Sequence, residues 1–224
     1  MKLDTLKKNG TAVILAELVN LIAAAVFILT LPEQVPTHFD MNMVCNGYGS
    51  RWSGLLLPAG MMLIPVVFLF LYSRTQNQEK NLPVMKLGLF AAATVTIIGT
   101  WFILFMMRSD VRPGEQIEKQ FWWLFPALYG AVFLILGNYM PKIRQNKVIG
   151  YRSPWTLKNA QCWKLTHQFA GKLSVITGLV TLIAAVIIKA VGADGWLPNI
   201  TVSVVSLLIV VLVPLFYSYY HRAD

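Results

Sequence analysis

Three histidines, two cysteines and one acid inside an apolar run are the side chains here that could carry proton transfer, metal binding or nucleophilic chemistry. Their spacing argues against most of it. His38, His167 and His221 fall in separate stretches, Cys45 lacks a tight ligand spacing with His38 and Asp40, and Cys162 and His167, five apart, leave one helical face. There is no HExxH helix, GxSxG elbow, phosphate-cradling glycine loop or paired carboxylate. The expectation is therefore no catalytic residue, no metal ligand, no cofactor and no enzyme activity. Single groups remain. Glu17, with Asn20, interrupts an apolar run, and an acid in such a place is by default a functional hypothesis. His38 carries an imidazole, the side chain suited to sensing pH near neutrality or to contacting a peptide. Arg152 offers a planar donor fork for a phosphate, a carboxylate or a helix-end carbonyl.

The elements that hold these groups are built for lipid. Hydrophobic residues make up 56% of the chain and charged residues 13%, far from the soluble average. Apolar runs at roughly 11–31, 55–72, 87–107, 121–140, 173–191 and 200–218 each approach the 20 or so residues that cross a hydrocarbon core. The fold class expected is all-α, a polytopic membrane helix bundle of about six transmembrane helices set in the lipid bilayer. The first run lacks a small-residue cleavage site and reads as a retained helix rather than a signal peptide. Of 19 basic residues only Arg51, Arg108, Arg112, Lys119 and Lys189 fall on the face opposite the N-terminus, so both termini are expected in the cytoplasm. Glu33, Asp40, Asp110, Glu115, Glu118 and Asp194 fall on the outer side, which makes the net charge of +9 an inner-leaflet charge and not a nucleic-acid footprint. No direct nucleic-acid partner is expected. Cys45 outside and Cys162 inside cannot pair. Glu17 should face the bundle interior, neutral or paired. Pro65, Pro126 and Pro214 are expected to kink their helices, and Gly88, Gly99, Gly130, Gly137 and Gly178 to allow close helix approach.

Asn146 to Lys172, NKVIGYRSPWTLKNAQCWKLTHQFAGK, is basic, bears two tryptophans and has no acid. Ser153-Pro154 is a helix start: a hydroxyl to cap free N–H groups, then proline where its missing donor costs nothing. Trp155, Cys162, Leu165 and Phe169 recur at helical spacing, opposite Lys158, Gln161, Lys164, Gln168 and Lys172. That pattern predicts an amphipathic helix in the interface plane, with Trp155 and Trp163 at headgroup depth. Gly150 marks a tight turn or a close backbone approach. The segment reads as an interfacial anchor or as a docking surface for a cytoplasmic partner. Residue by residue, Asn146, Ile149-Gly150-Tyr151-Arg152, Ser153-Pro154-Trp155-Thr156-Leu157 and Trp163, with His167 beyond, resemble the signature of the SdpI family of bacterial membrane proteins, named for an immunity protein against a secreted peptide toxin.

Leu31-Pro32-Glu33-Gln34-Val35-Pro36-Thr37-His38-Phe39-Asp40 follows the first run, its two prolines stiffening an extended backbone. It resembles the domain-of-unknown-function 1648 pattern, LPxxVPTHF followed by a Gly-rich turn and a basic residue. Asn46-Gly47-Tyr48-Gly49-Ser50-Arg51 is expected to supply that turn. Pro32, Pro36, Thr37, His38, Phe39 and Tyr48 are the candidate ligand-facing residues, and Met41, Met43, Tyr48 and Trp52 a soft apolar lip for a hydrophobic peptide or a rest on lipid. Thr37 and His38 could equally bond within the turn.

The resemblance divides the chain into a DUF1648-like region at 1–72 and an SdpI-like region at 73–224, with the basic amphipathic loop at 142–172. It implies immunity to a membrane-acting extracellular peptide toxin and, as in the family's namesake, sequestration of a cytoplasmic transcriptional repressor in signal transduction. The alternatives are an ion-coupled or peptide transporter that depends on Glu17, and an envelope-stress membrane protein with no immunity role.

Overall fold

The computed structural model describes residues 2–73, 78–117, 122–193 and 195–222; Arg74, Glu118, Lys119 and Asp194, assigned to membrane faces above, lie outside the described residues. Helix α1 (Lys2–Ile28) leads into a hairpin of β1 (Gln34–Phe39) and β2 (Cys45–Ser50). A 3-10 turn at Arg51–Leu55 then opens α2 (Leu56–Met61) and α3 (Leu63–Ser73). There follow α4 (Gln78–Met107), α5 (Leu124–Tyr139), the short α6 (Pro154–Lys158), α7 (Ala160–Ala190) and α8 (Trp196–Tyr220). Among the described residues, six helical stretches are long and apolar enough to cross a membrane: Lys8–Ile28, Arg51–Leu71, Lys80–Met107, Leu124–Lys142, Ala160–Ala190 and Trp196–Tyr220. They correspond to the six runs read from the sequence. Val19, Ile22, Val186 and Phe216 are exposed on their surfaces, which carries no penalty where the surrounding solvent is itself hydrocarbon.

The described residues form two compact units. One joins α1, the hairpin, α2 and α3 to α4 from Leu82 onward. Its core has Ala24, Ile28, Leu31 and Val35 against Leu104 and Met107, with a second cluster of Val13, Leu89, Ala93 and Leu69. The second span is broken. Met62 separates α2 from α3 and donates its N–H back to Pro58 and Gly60 carbonyls, because Pro58 and Pro65 each remove a donor that a continuous helix would need.

The other unit joins the start of α4 to α5 through α8. Here α5 and α7 meet backbone to backbone. A Cβ on Gly130 would stand 2.8 Å from the Gly178 carbonyl oxygen, and one on Gly137 would stand 2.8 Å from the Gly171 carbonyl oxygen. Gly171 was not among the small residues singled out from the sequence; it lies inside the basic stretch, where attention goes to charge. Farther along, Thr181 and Ser206 hydroxyls bond at 2.7 Å and join α7 to α8, a polar tie of the kind that links helices in lipid.

Two expectations are corrected. Pro126 is the third residue of α5, in the first turn, where its missing N–H breaks no ladder bond, so it initiates the helix instead of kinking it; Pro214 does lie inside α8. The separate interfacial helix is also not formed. The helix started at Ser153-Pro154 is only α6, ending at an extended Asn159 (φ −123°, ψ 117°), and α7 then runs unbroken for 31 residues. The apolar spacing seen in the sequence continues smoothly across that restart, and periodicity cannot register a change of axis.

Gly137→Ala would have to part α5 and α7, and overpacking of this kind costs about 1–3 kcal/mol. A clear loss of thermal stability in detergent is expected, whereas Gly60→Ala, whose Cβ meets nothing within 4 Å, should leave the melting curve almost unchanged.

Candidate functional site

The connector between α5 and α7 has little regular structure, so its backbone polar groups need side chains as partners. The α5 end turns through Met140–Lys142, and the Pro141 ring lies over Gly171, where a Cβ would stand 2.8 Å from Pro141 Cδ. Arg144 is held by its backbone. Its N–H donates to Asn81 Oδ1 at 2.7 Å, and its carbonyl accepts from Asn81 Nδ2 at 3.2 Å and Asn146 Nδ2 at 2.7 Å. Asn146 Oδ1 then accepts from the Val148 and Ile149 N–H groups, both at 2.8 Å. Both asparagines are fully buried.

Gly150 has φ +99°, and any Cβ there would lie 2.2 Å from His167 Nε2. The close approach lets the Tyr151 N–H donate to that nitrogen at 3.1 Å. Because Nε2 accepts, the ring hydrogen is assigned to Nδ1, which donates to the Trp163 carbonyl at 2.8 Å. Trp163 stacks on His167 with centroids 4.1 Å apart, and its indole N–H donates to the Ile143 carbonyl at 2.8 Å. The Tyr151 hydroxyl donates to the Val210 carbonyl, and burial pushes this phenol up to about 12, so it remains a donor at physiological pH.

Helix α6 completes the enclosure. Ser153 and Thr156 form a reciprocal capping box, and the Thr156 hydroxyl reaches the Tyr151 carbonyl at 2.8 Å. Gln145 donates to the Thr156 and Leu157 carbonyls, at 2.8 and 3.0 Å. Trp155 donates its indole N–H to Ser218 Oγ at 2.7 Å, and the buried Cys162 thiol lies 3.4 Å from the Ser218 carbonyl. Asn159 caps the next helix, accepting from Gln161 and Cys162 N–H groups.

The structure thus brings Asn146, Gly150, Thr156, Trp163 and His167 together in one bonded frame and leaves Arg152, Pro154 and Leu157 exposed at its surface. Arg152 Nη1 donates to the Lys147 carbonyl at 2.9 Å. Trp163, expected at headgroup depth, is only 3% exposed; its ring is occupied by His167 and Ile143 instead of lipid. Asn81, Gln145 and Ser218 were missed. Asn81 sits in a polar sequence stretch that reads as a loop, and no local pattern connects it to a residue 63 positions away.

The segment after α1 is a β-hairpin. The Gly-rich Asn46–Ser50 stretch, expected as the turn, is most of strand β2. The turn is Asp40–Val44 instead: the Asp40 carboxylate accepts from the Asn42 and Val44 N–H groups at 2.8 and 2.9 Å, and Met43 takes φ 59°. An aspartate receiving its own following N–H groups was the sequence signal for it. Glycine enters the strand where the partner crowds in, since a Cβ on Gly47 would lie 2.9 Å from His38 Cβ. The segment after α4 clasps the hairpin, with Cys45 N–H donating to Glu115 O, Gly114 N–H to Cys45 O, and Tyr48 hydroxyl to Val111 O. His38 Nδ1 bonds Asn46 Oδ1, and Thr37 Oγ1 reaches Gly47 O at 3.4 Å, so both serve the hairpin. Pro36 pairs with Tyr48 and Phe39 with Cys45 in register, while Pro32 precedes the strands and is exposed. Met41, Trp52 and Tyr48 are 67%, 51% and 39% exposed.

Glu17 faces inward, 1% exposed. The Thr96 hydroxyl lies between Glu17 Oε1 and the Ala93 carbonyl, Asn20 donates to Thr100 Oγ1 at 3.3 Å, and Asn20 Oδ1 has no partner. Among the described residues no group of three or more His, Cys, Asp or Glu could hold a metal ion, and Cys45 and Cys162 are free thiols.

Both constructions coincide with known sequence families. The SdpI/YfhL protein family matches residues 142–218, from the last residue of the Met140–Lys142 turn through Ser218, the acceptor of the Trp155 indole. DUF1648, a domain of unknown function, matches residues 17–63, which begin at Glu17 and contain the hairpin. The chain thus joins a DUF1648 segment to an SdpI/YfhL segment. The chain is 28% identical over 220 residues to the Immunity protein SdpI of Bacillus subtilis (strain 168), covering 98% of this chain and 99% of that one. No solved structure matches it. With six apolar spans among its described residues, the chain is a multi-pass membrane protein.

The frame around His167 makes a direct prediction for the family segment. Gly150→Ala must displace His167 and with it Trp163, so limited trypsin digestion at Lys147, Arg152 and Lys158 should quicken several-fold. Asn146→Ala, which strands the Val148 and Ile149 N–H groups, should quicken cleavage similarly, since each buried unsatisfied donor costs about 1–3 kcal/mol.

Proposed function

We propose that this protein protects its cell against a membrane-acting peptide toxin and passes the encounter to a cytoplasmic partner, a transcriptional repressor in the fullest form of the reading. The end-to-end match to a protein named for immunity carries the proposal. The two sites add to it. The exposed apolar side chains of the hairpin and of the 3-10 turn after it, Met41 at the tip, Tyr48 in the strand and Trp52 at the base, are suited to a hydrophobic peptide, and the positive-inside bias puts them outside the cell. The connector, on the opposite face by the same rule, presents Arg152, Pro154 and Leu157 from a frame rigid enough to define a surface. His38 acts by holding the hairpin through Asn46, and Arg152 contributes to the output surface.

A second reading, ion-coupled transport, draws on the buried Glu17, Asn20, Thr96 and Thr100 cluster. The two separate cleanly in toxin-sensitive cells expressing the chain at matched levels and challenged with a panel of membrane-active peptides. Wild type should raise survival at least tenfold. Met41→Ala/Trp52→Ala and His38→Ala should lower that protection, while Arg152→Ala should spare protection and impair transcriptional response. Absence of protection with the protein present in the membrane would refute immunity, and loss of protection in Glu17→Gln alone would favour ion coupling.

A further inference from the structure

At the foot of α5 and α7 a cavity of about 520 Å³ opens between the start of α4, the Pro141–Gln145 segment and the first turns of α7. Its lining includes three cations, Lys80, Arg144 and Lys164, and no acid. All three are exposed, whereas Ile143 and Trp163, 7% and 3% exposed, form an apolar floor. The family signature did not single out Lys80, Arg144 or Lys164, and the bonded frame around His167 does not use their side chains.

We propose that this groove is a binding site for the phosphate of an anionic phospholipid. The site is built and not a chance cluster of surface charge. Buried Asn81 grips both polar backbone groups of Arg144, which fixes where the guanidinium leaves the backbone. Trp163 is fixed by Ile143 and His167, and Lys164 follows it on α7. Ala160 and Gln161, also lining the groove, are the first two residues of a 31-residue helix, whose N-terminal end carries about half a positive charge. The charged side chains on the lining therefore all have one sign, and Arg144 supplies a fork that matches phosphate oxygens.

Depth and lining select a lipid as the source of that phosphate. At about 1.5 Å per residue α7 is about 46 Å long, against a hydrocarbon core of about 30 Å, which leaves about 16 Å beyond the core. The apolar run of this helix begins at about 173, so the excess is its first part, residues 160–170, and the groove lies at and just beyond headgroup level. Lys142, beside it, sets its ammonium 4.4 Å from the centroid of the Tyr139 ring, the aromatic and basic pairing expected where a span leaves lipid. A free anion would need only the cations; an apolar floor under a cationic rim suits an amphiphile.

The test is native mass spectrometry of the full chain in detergent, titrated with phosphatidylglycerol, with phosphatidylcholine and with inorganic phosphate. Two variants of equal charge accompany it: Lys80→Gln/Arg144→Gln/Lys164→Gln in the groove, and Lys147→Gln/Lys158→Gln/Lys172→Gln outside it. Phosphatidylglycerol should bind wild type at least tenfold more tightly than phosphatidylcholine. The groove variant should lose at least tenfold, and the outside variant less than about threefold. Equal losses in both variants would reduce the effect to general positive charge and overturn the site. Displacement of the lipid by millimolar inorganic phosphate would assign the groove to a soluble phosphate instead. No preference among lipids in wild type would also overturn the proposal and leave the groove to an acidic protein segment. A matched melting curve for the two variants separates lost binding from lost folding.

Discussion

Two helix backbones can press carbonyl against Cα only where neither carries a side chain, and α5 and α7 do so twice, at Gly130 with Gly178 and at Gly137 with Gly171. Much else in this half of the molecule is referred to that contact. It sets the height at which α5 must end, brings Pro141 down onto Gly171, and delivers Ile143 to the Trp163 indole. In lipid there is no hydrophobic force between helices, so close packing and polar ties carry the association. A few tenths of an ångström more between α5 and α7 would be passed directly to the connector, because its bonds are short and its side chains already buried.

The connector then has to satisfy its own backbone hydrogen bonds. Between Ile143 and Asn159 there is only one short helix, yet Ile143, Asn146, Ser153 and Thr156 of the segment are buried, where orphaned N–H and C=O groups are costly. Asn81, Gln145, Asn146, Thr156, Trp163 and His167 each direct a side-chain polar atom to a main-chain group of this segment or of the helix beside it. The motif residues are thus intelligible as partners for backbone before any partner protein is invoked. The hairpin after α1 follows the same logic with different parts: Asp40 for its turn, and strands paired to each other and to Glu115.

How much of this the sequence displays depends on the range of the interaction. Spans were legible because hydrocarbon thickness imposes one length on every crossing helix, and Ser153-Pro154 was legible because a cap is local. Gly150 declared a close approach but not to what; His167, more than four helical turns on in sequence, has no pattern linking it to Gly150. The Asn46–Ser50 strand was hidden by its glycines, which usually mean turn and here mean crowding by His38. Asn81 and Ser218 were invisible because each acts across more than sixty residues. The break at Asn159 was invisible because two helices in sequence keep one periodicity.

One property of the connector separates it from the charges it displays. Apart from Arg152 on Lys147, its internal bonds are made by uncharged amides, hydroxyls, indoles and an imidazole whose hydrogen sits on Nδ1. Lys80, Arg144 and Lys164 stand exposed around it. Ionic strength screens the reach of exposed charge beyond about 8–10 Å at physiological salt and hardly touches buried neutral bonds. The frame is therefore salt-blind while its surface is salt-sensitive, so the cell's ionic conditions can tune what the surface attracts without loosening what presents it.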